Sequence, residues 1–213
     1  LQIIDKNGNV IHEWISGTDV NYMEAQLTAG ETYTLHETNA PAGYVLAQDQ
    51  QFTVNPDGSI TKVNMQDDTT KVSISKYDLT SGKELPGATL QIIDKNGNVI
   101  EEWISTSEAH LIEGILTAGE TYTLREISAP NGWTISEDVT FTVNADGTIT
   151  HVEMYDKPTS VSLRKVDTDG NDIKGAVMQL LDKDKNVIEE WTTDGTAHVL
   201  TAQLTAGETY TLH

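Results

Sequence analysis

The sequence of 213 residues contains no cysteine, which excludes disulfide bonds and thiolate metal sites as supports for the fold. Basic residues are scarce: the sequence has 13 Lys and Arg and 33 Asp and Glu, which gives a formal net charge of -20. An acidic surface of this kind disfavours binding to nucleic acid and to anionic membranes. No stretch reaches the roughly 20 apolar residues that span a bilayer. We therefore expect no nucleic-acid partner and no membrane insertion in this segment.

Internal repetition dominates what the sequence does contain. Residues 1–11 return unchanged at 90–100, an offset of 89, and in looser form at 178–188, a further offset of 88. The segment that starts at Leu27 likewise returns at Leu116 and Leu204. Repeats of this length are whole small domains rather than turns of a solenoid.

The repeats predict three domains. Residues 1–68 form a copy that lacks its first strand, 69–157 form a complete copy, and 158–213 form a copy that ends before the acid equivalent to Glu126. The joints between them are short, which predicts consecutive domains with limited freedom. Each domain is therefore expected to have its neighbouring repeats as partners.

The middle copy has the pattern of short antiparallel strands. Alternating apolar residues and turn signals predict seven strands, with no sustained helical periodicity. Asn96-Gly97 favours a type I′ hairpin turn between the second and third of them. Seven strands in about 90 residues predict an all-β fold of tandem Ig-like antiparallel β-sandwich domains. The predicted strands are 71–76, 88–93, 99–104, 109–115, 121–126, 139–144 and 148–156.

Three ionisable residues of the middle copy, Lys76, Glu126 and Asp156, each end an apolar stripe. Residues two apart in a strand point to the same face, so each of these side chains follows its apolar neighbours inward. Burying a charge costs several kcal/mol unless it is protonated or paired, so we expect the three to meet. The stripes are Val72, Ile74 and Lys76; Tyr122, Leu124 and Glu126; and Val152, Met154 and Asp156. The counterparts in the incomplete copies are Glu37, Asp67 and Lys165.

Such a set of residues has its own chemistry. A lysine among apolar side chains is pushed towards its neutral, nucleophilic form, and a buried carboxyl towards its protonated, electrophilic form. Both changes favour an amide bond between Lys76 and Asp156, with Glu126 moving protons. No cofactor and no metal are required. Taken singly, each residue also has an ordinary interpretation: a lysine that reaches solvent, a turn aspartate and a surface glutamate.

Residues 33–44 read Tyr-Thr-Leu-His-Glu-Thr-Asn-Ala-Pro-Ala-Gly-Tyr. They resemble the glutamate motif Tyr-x-Leu-x-Glu-Thr-x-Ala-Pro-x-Gly-Tyr of the CnaB-type (SpaA-like, prealbumin-like) repeat domains of Gram-positive surface adhesins and pilins. The later copy at 122–133 departs from this motif at Ile127 and Trp133. The resemblance implies prealbumin-like sandwiches and an intramolecular isopeptide bond between Lys76 and Asp156 that Glu126 assists.

The function that follows is mechanical rather than enzymatic. The chain is expected to be a stalk or shaft module of an extracellular, cell-surface adhesin or pilus of a Gram-positive bacterium, with a single self-crosslinking turnover. Two alternatives stay open: a ligand-binding adhesin module that recognises host matrix or glycan, and a sortase-polymerised pilin backbone. Other copies of the chain are also candidate partners, because Lys165 of one molecule is the lysine that Glu37 and Asp67 of another lack.

Other candidate sites are interpreted as structural. Residues 167–172 resemble the start of a calcium loop, but Met178 stands where the twelfth ligand of an EF-hand belongs, so we predict a polar hairpin turn. The histidines show no metal-ligand spacing. Trp14, Trp103 and Trp191 recur at equivalent strand positions and are expected to pack within their domains.

Overall fold

The structure is a computed structural model that describes residues 1–24 and 26–213. Within these residues the regular secondary structure consists of sixteen β-strands and no helix, which confirms the all-β prediction. The described residues accordingly include no apolar helix of membrane-spanning length. In chain order the strands are β1 (Gln2–Ile4), β2 (Val10–Glu13), β3 (Thr32–His36), β4 (Gln50–Thr53), β5 (Lys71–Asp78), β6 (Thr89–Ile93), β7 (Val99–Ile104), β8 (His110–Glu113), β9 (Thr121–Ser128), β10 (Val139–Thr142), β11 (Thr150–Asp156), β12 (Ser162–Leu163), β13 (Lys174–Leu181), β14 (Val187–Asp194), β15 (His198–Val199) and β16 (Thr211–Leu212).

The strands of the described residues form five sheets. The first repeat has one sheet in the order β2-β1-β3-β4. The middle repeat has two, β10-β9-β6-β7 and β11-β5-β8, as a two-layered sandwich requires. The third repeat has β12-β15 and β14-β13-β16. The seven strands predicted for the middle repeat correspond to β5 to β11 in order.

The contacts divide the chain into two compact units. One unit comprises Leu1–Ser73, Leu111–Thr121 and Thr142–His151, and the other comprises Ile74–His110, Tyr122–Phe141 and Val152–His213. Both units contain part of the middle repeat, so the division does not follow the predicted joints. The domain boundaries at 68/69 and 157/158 remain a prediction.

Within the first unit, the core of the first repeat is built on the stripe of β3. Tyr33 and Leu35 are buried together with Ile3 of β1, because β1 pairs with β3. Glu37 continues the same stripe just beyond the strand and is also buried. The surrounding apolar side chains are Leu1, Trp14, Met23, Leu27, Phe52, Val54, Val63 and Met65.

The predicted type I′ turn at Asn96-Gly97 is wrong. In the described residues φ is positive at Gly97, 85°, but not at Asn96, and a type I′ turn needs positive φ at both central positions. Gly97 N–H instead donates to the carbonyl of Asp94 at 3.0 Å. The Asp94 side chain accepts the N–H groups of Asn96 and Asn98, each at 2.8 Å. These side-chain bonds stabilise a turn with a single left-handed glycine.

Candidate functional site

Lys76, Glu126 and Asp156 lie together in the middle repeat. Lys76 Nζ donates to Glu126 Oε2 at 3.1 Å and is in direct contact with Asp156 Oδ1. The exposed fractions are 1% for Lys76, 5% for Glu126 and 0% for Asp156. An amine and two carboxyl groups therefore share one site that is closed to bulk water.

The strand pattern explains how these side chains reach one another. Lys76 and Asp156 come from β5 and β11, which are neighbours in one sheet, and Glu126 comes from β9 in the other sheet. Burial alternates strictly along β11 and along the first six residues of β5. Each reactive group thus occupies a position whose side chain points into the core.

Ser136, in the loop between β9 and β10, also belongs to this site. Its backbone N–H donates to Glu126 Oε2 at 2.7 Å. Its hydroxyl oxygen lies 2.6 Å from Asp156 Oδ1 and 3.3 Å from Lys76 Nζ, and it contacts the carbonyl oxygen of Tyr155. The sequence pattern does not predict a role for Ser136, because the corresponding residue of the first repeat is Ala47 and the hydroxyl does not recur.

The electrostatics of the site centre on Glu126. Burial raises the pKa of its carboxyl group, and the Asp156 carboxyl adds to this, whereas the N–H of Ser136 and the amine of Lys76 act in the opposite direction. Two carboxyl groups and one amine would leave a net negative charge in the core if all were ionised. An uncompensated buried charge costs several kcal/mol, so the environment favours at least one protonated carboxyl.

A family model decides to which group of proteins this chain is related. The SpaA prealbumin-like fold domain matches residues 1–69, 70–158 and 159–213. The chain belongs to this family. The resemblance that the motif at 33–44 suggested is therefore confirmed, together with the prealbumin-like fold.

Several solved structures are similar to this SpaA-type chain. The Bacillus anthracis TIE protein has 25% identity over 79% of this chain and 34% of its own, with a TM-score of 0.49. The shaft pilin SpaA from Lactobacillus rhamnosus GG has 20% identity over 61% and 65%, with a TM-score of 0.38. A streptococcal ancillary pilin has 12% identity over 84% and 64%, with a TM-score of 0.38. The chain thus spans about a third of the TIE protein and just under two thirds of these pilins. A search of curated proteins found no match.

The equivalent residues in the other two SpaA-type repeats have different surroundings. Glu37 is buried and accepts the N–H of Ala47 at 2.7 Å, the same backbone bond that Glu126 receives from Ser136. Asp67 is half-buried, and Lys165 is exposed. In the apolar stripe that leads to Lys165, Val161 is exposed and Leu163 is half-buried, and β12 pairs with β15 over two residues.

The Ala-Pro-x-Gly loop of the SpaA-type motif contacts the repeat that follows it. At the first joint Thr70 N–H donates to the carbonyl of Gly43 at 2.9 Å, and a Cβ on Gly43 would overlap the backbone of Gly114. At the second joint Thr159 N–H donates to the carbonyl of Gly132 at 2.7 Å. Glycine is needed at both loop positions, since φ is 85° at Gly43 and 91° at Gly132.

The turn at 167–172, the histidines and the tryptophans make contacts that stabilise the fold. Asp167 Oδ1 accepts the N–H groups of Asp169 and Asn171 at 2.9 Å each, which makes this segment a polar turn. No group of three or more His, Cys, Asp or Glu among the described residues is arranged to hold a metal ion. Trp103 stacks on His110 at 4.4 Å between ring centroids, and Trp191 and His198 repeat this stack.

Proposed function

We propose that the chain is a tension-bearing segment of a stalk or shaft in an adhesin or pilus on the outer surface of a Gram-positive bacterium. Its middle domain closes with an isopeptide bond between Lys76 Nζ and Asp156 Cγ, and Glu126 assists the reaction. The observation that carries the proposal is the contact of these three buried groups across the first and last strands of the domain. We assign a structural role to the chain, because the proposed reaction consumes the domain's own side chains and can occur once in each domain.

The bond forms by loss of water. The neutral amine of Lys76 attacks Cγ of the protonated Asp156 carboxyl, and a carbon–nitrogen bond forms as one carbon–oxygen bond breaks. Glu126 takes a proton from the nitrogen through Oε2 and returns it to the departing oxygen, which leaves as water. The fold supplies proximity in place of a second substrate, and no further reactant is consumed.

The mechanical value of the bond comes from the position of its ends. β5 and β11 are the first and last strands of the middle repeat, so tension entering at one joint passes through covalent atoms to the other. The bond also closes a separation of 80 residues. By analogy with disulfide loop closure, this stabilises the domain by about 4.5 kcal/mol.

Mass spectrometry tests the proposal directly. The intact chain should weigh one water less than its sequence mass, and digestion should yield one peptide pair joined through Lys76 and Asp156. The variant D156A should regain the full mass. Lys165→Ala is the matched control, because it removes an exposed lysine at the equivalent position and should leave the water loss unchanged. A wild-type chain at its full mass would refute the bond.

A further inference from the structure

The Ser136 hydroxyl lies between the two groups that would react. It is 2.6 Å from Asp156 Oδ1 and 3.3 Å from Lys76 Nζ, and it also contacts the carbonyl of Tyr155. Asp156 Oδ2, in contrast, is buried with no hydrogen-bond partner among the described residues. The two carboxyl oxygens of Asp156 are therefore not equivalent.

The hydrogen-bonding capacity of serine limits how this cluster can be arranged. A hydroxyl has one proton to donate and two lone pairs that accept. The carbonyl of Tyr155 can only accept. If Ser136 donates to that carbonyl, its lone pairs accept from Lys76 Nζ and from a proton on Asp156 Oδ1. This arrangement needs a proton on Asp156 Oδ1, which makes Asp156 the neutral acid that amide formation requires.

Rotation of the Ser136 hydroxyl lets it donate to Asp156 Oδ1 when the carbon–oxygen bond breaks. When the Ser136 proton turns from Tyr155 to Oδ1, it donates to an oxygen that is gaining negative charge as its bond to carbon breaks. Donors that meet developing charge in this way lower the barrier most where water is excluded. Ser136 is itself half-buried, whereas Lys76 and Asp156 are fully buried. It therefore stands on the side from which the released water can leave.

We propose that Ser136 is an additional catalytic residue of the middle domain, which holds Asp156 Oδ1 as the leaving oxygen while Oδ2 becomes the amide carbonyl. This inference rests on the proposed isopeptide bond. Atoms balance without any other reactant: the amine supplies one proton through Glu126, and Oδ1 leaves with its own proton and this one as water.

The first repeat provides a natural control for the backbone. Ala47 has no hydroxyl, yet its N–H donates to Glu37 at 2.7 Å, as that of Ser136 does to Glu126. Serine is therefore not needed to place the glutamate. The variant S136A should fold and keep Glu126 in position while losing the contacts to Asp156 and Lys76.

The rate of water loss tests the role of the hydroxyl. The full chain is synthesised in a short cell-free pulse, quenched at intervals in acidic denaturant, and its reacted fraction is read from the intact mass. S136A should react roughly 100-fold more slowly than wild type, the lower range for loss of one donor to a developing oxyanion. S136T, which keeps a hydroxyl, should stay within about threefold of wild type, well short of the loss that follows removal of such a donor. The matched control is Ser128→Ala, an exposed serine on β9, which should react at the wild-type rate.

Each other outcome has a defined meaning. If S136A reacts as fast as wild type, the role of Ser136 is refuted and the isopeptide bond stands. If S136T is as slow as S136A, the hydroxyl is not the cause and the inference also fails. If the wild-type chain never loses water, the inference and the proposed function fail together.

Discussion

The first and middle repeats carry the same glutamate in the same backbone setting but with different neighbours. Glu37 and Glu126 are both buried, and each accepts an N–H from the residue ten positions later, Ala47 and Ser136 respectively. Glu126 also accepts a hydrogen bond from the Lys76 amine, whereas Glu37 has no such lysine bond among residues 1–24 and 26–213. The scaffold alone is therefore sufficient to bury the acid, and reactivity depends on what the other strands bring to it.

Removal of Lys76 should cause the largest change, a loss of stability in the middle domain. K76A abolishes the crosslink, worth about 4.5 kcal/mol, and leaves the Asp156 carboxyl buried without the lysine nitrogen that the crosslink joins to it, at a further cost of about 1–3 kcal/mol. The middle domain should lose most of its stability, seen by calorimetry of the full chain. Lys165→Ala, at an exposed position, should change stability by no more than about 0.5 kcal/mol. An unchanged unfolding temperature for K76A would contradict the comparison.

The two glutamates should differ most clearly in rate. E126Q keeps the shape of the side chain but removes the proton acceptor, so bond formation should slow by at least about 100-fold. E37Q makes the same change in the first repeat and should leave the rate of water loss of the chain as it was. Time-resolved intact mass measures both. Equal slowing by the two variants would show that the effect comes from folding rather than from chemistry.

The pH dependence of the reaction sharpens the role of Glu126. As the proton acceptor it must be ionised, and its ionised fraction falls as the pH falls through its pKa. Burial raises that pKa above the ordinary 4.5, so the rate should decline with a midpoint above pH 4.5 and by about tenfold per unit below it. Pulse synthesis followed by incubation over a pH series measures this. A rate that holds constant down to pH 4.5 would exclude Glu126 as the base.

The two joints allow a smaller, graded test. A Cβ at Gly43 meets the backbone of Gly114, which cannot move aside easily, whereas a Cβ at Gly132 meets the flexible side chain of Gln203 at 3.1 Å. G43A should therefore cost about 2–4 kcal/mol, from the left-handed backbone and the overlap together. G132A should cost about 1–2 kcal/mol from the backbone alone. Limited proteolysis at the joints should rank them in this order, and the reverse ranking would contradict it.

The alternation of side chains along a strand explains why so much of the site could be predicted from the sequence. This alternation along β5, β9 and β11 showed which face carries Lys76, Glu126 and Asp156, and their recurrence in the other repeats distinguished these three residues from ordinary surface residues. The alternation shows which residues share a face of a strand, but it does not show whether other residues pack on that face. Lys165 matches Lys76 in the repeat, yet it lies two residues beyond the two-residue strand β12 and is exposed.

Two features that the sequence did not predict, the turn type at Asn96-Gly97 and the contacts of Ser136, have local causes. The Asn96-Gly97 pair suggested one turn type, but the Asp94 side chain bonds two backbone N–H groups and stabilises another. Ser136 lies in a loop, where no periodicity fixes the direction of a side chain. Its hydroxyl also has no counterpart at Ala47, so only the folded loop reveals its contacts.

The Ala-Pro-x-Gly loops impose a direction on how the chain is completed during synthesis. Each loop is seated by residues that the ribosome adds later: Gly132 N–H donates to the carbonyl of Leu204, 72 positions further on. The segment that joins Glu126 to Ser136 therefore reaches its full set of hydrogen bonds only after most of the next repeat has emerged. When domains fold in order from the N-terminus, the hydrogen bonds of each loop are thus completed only once the following repeat has been synthesised.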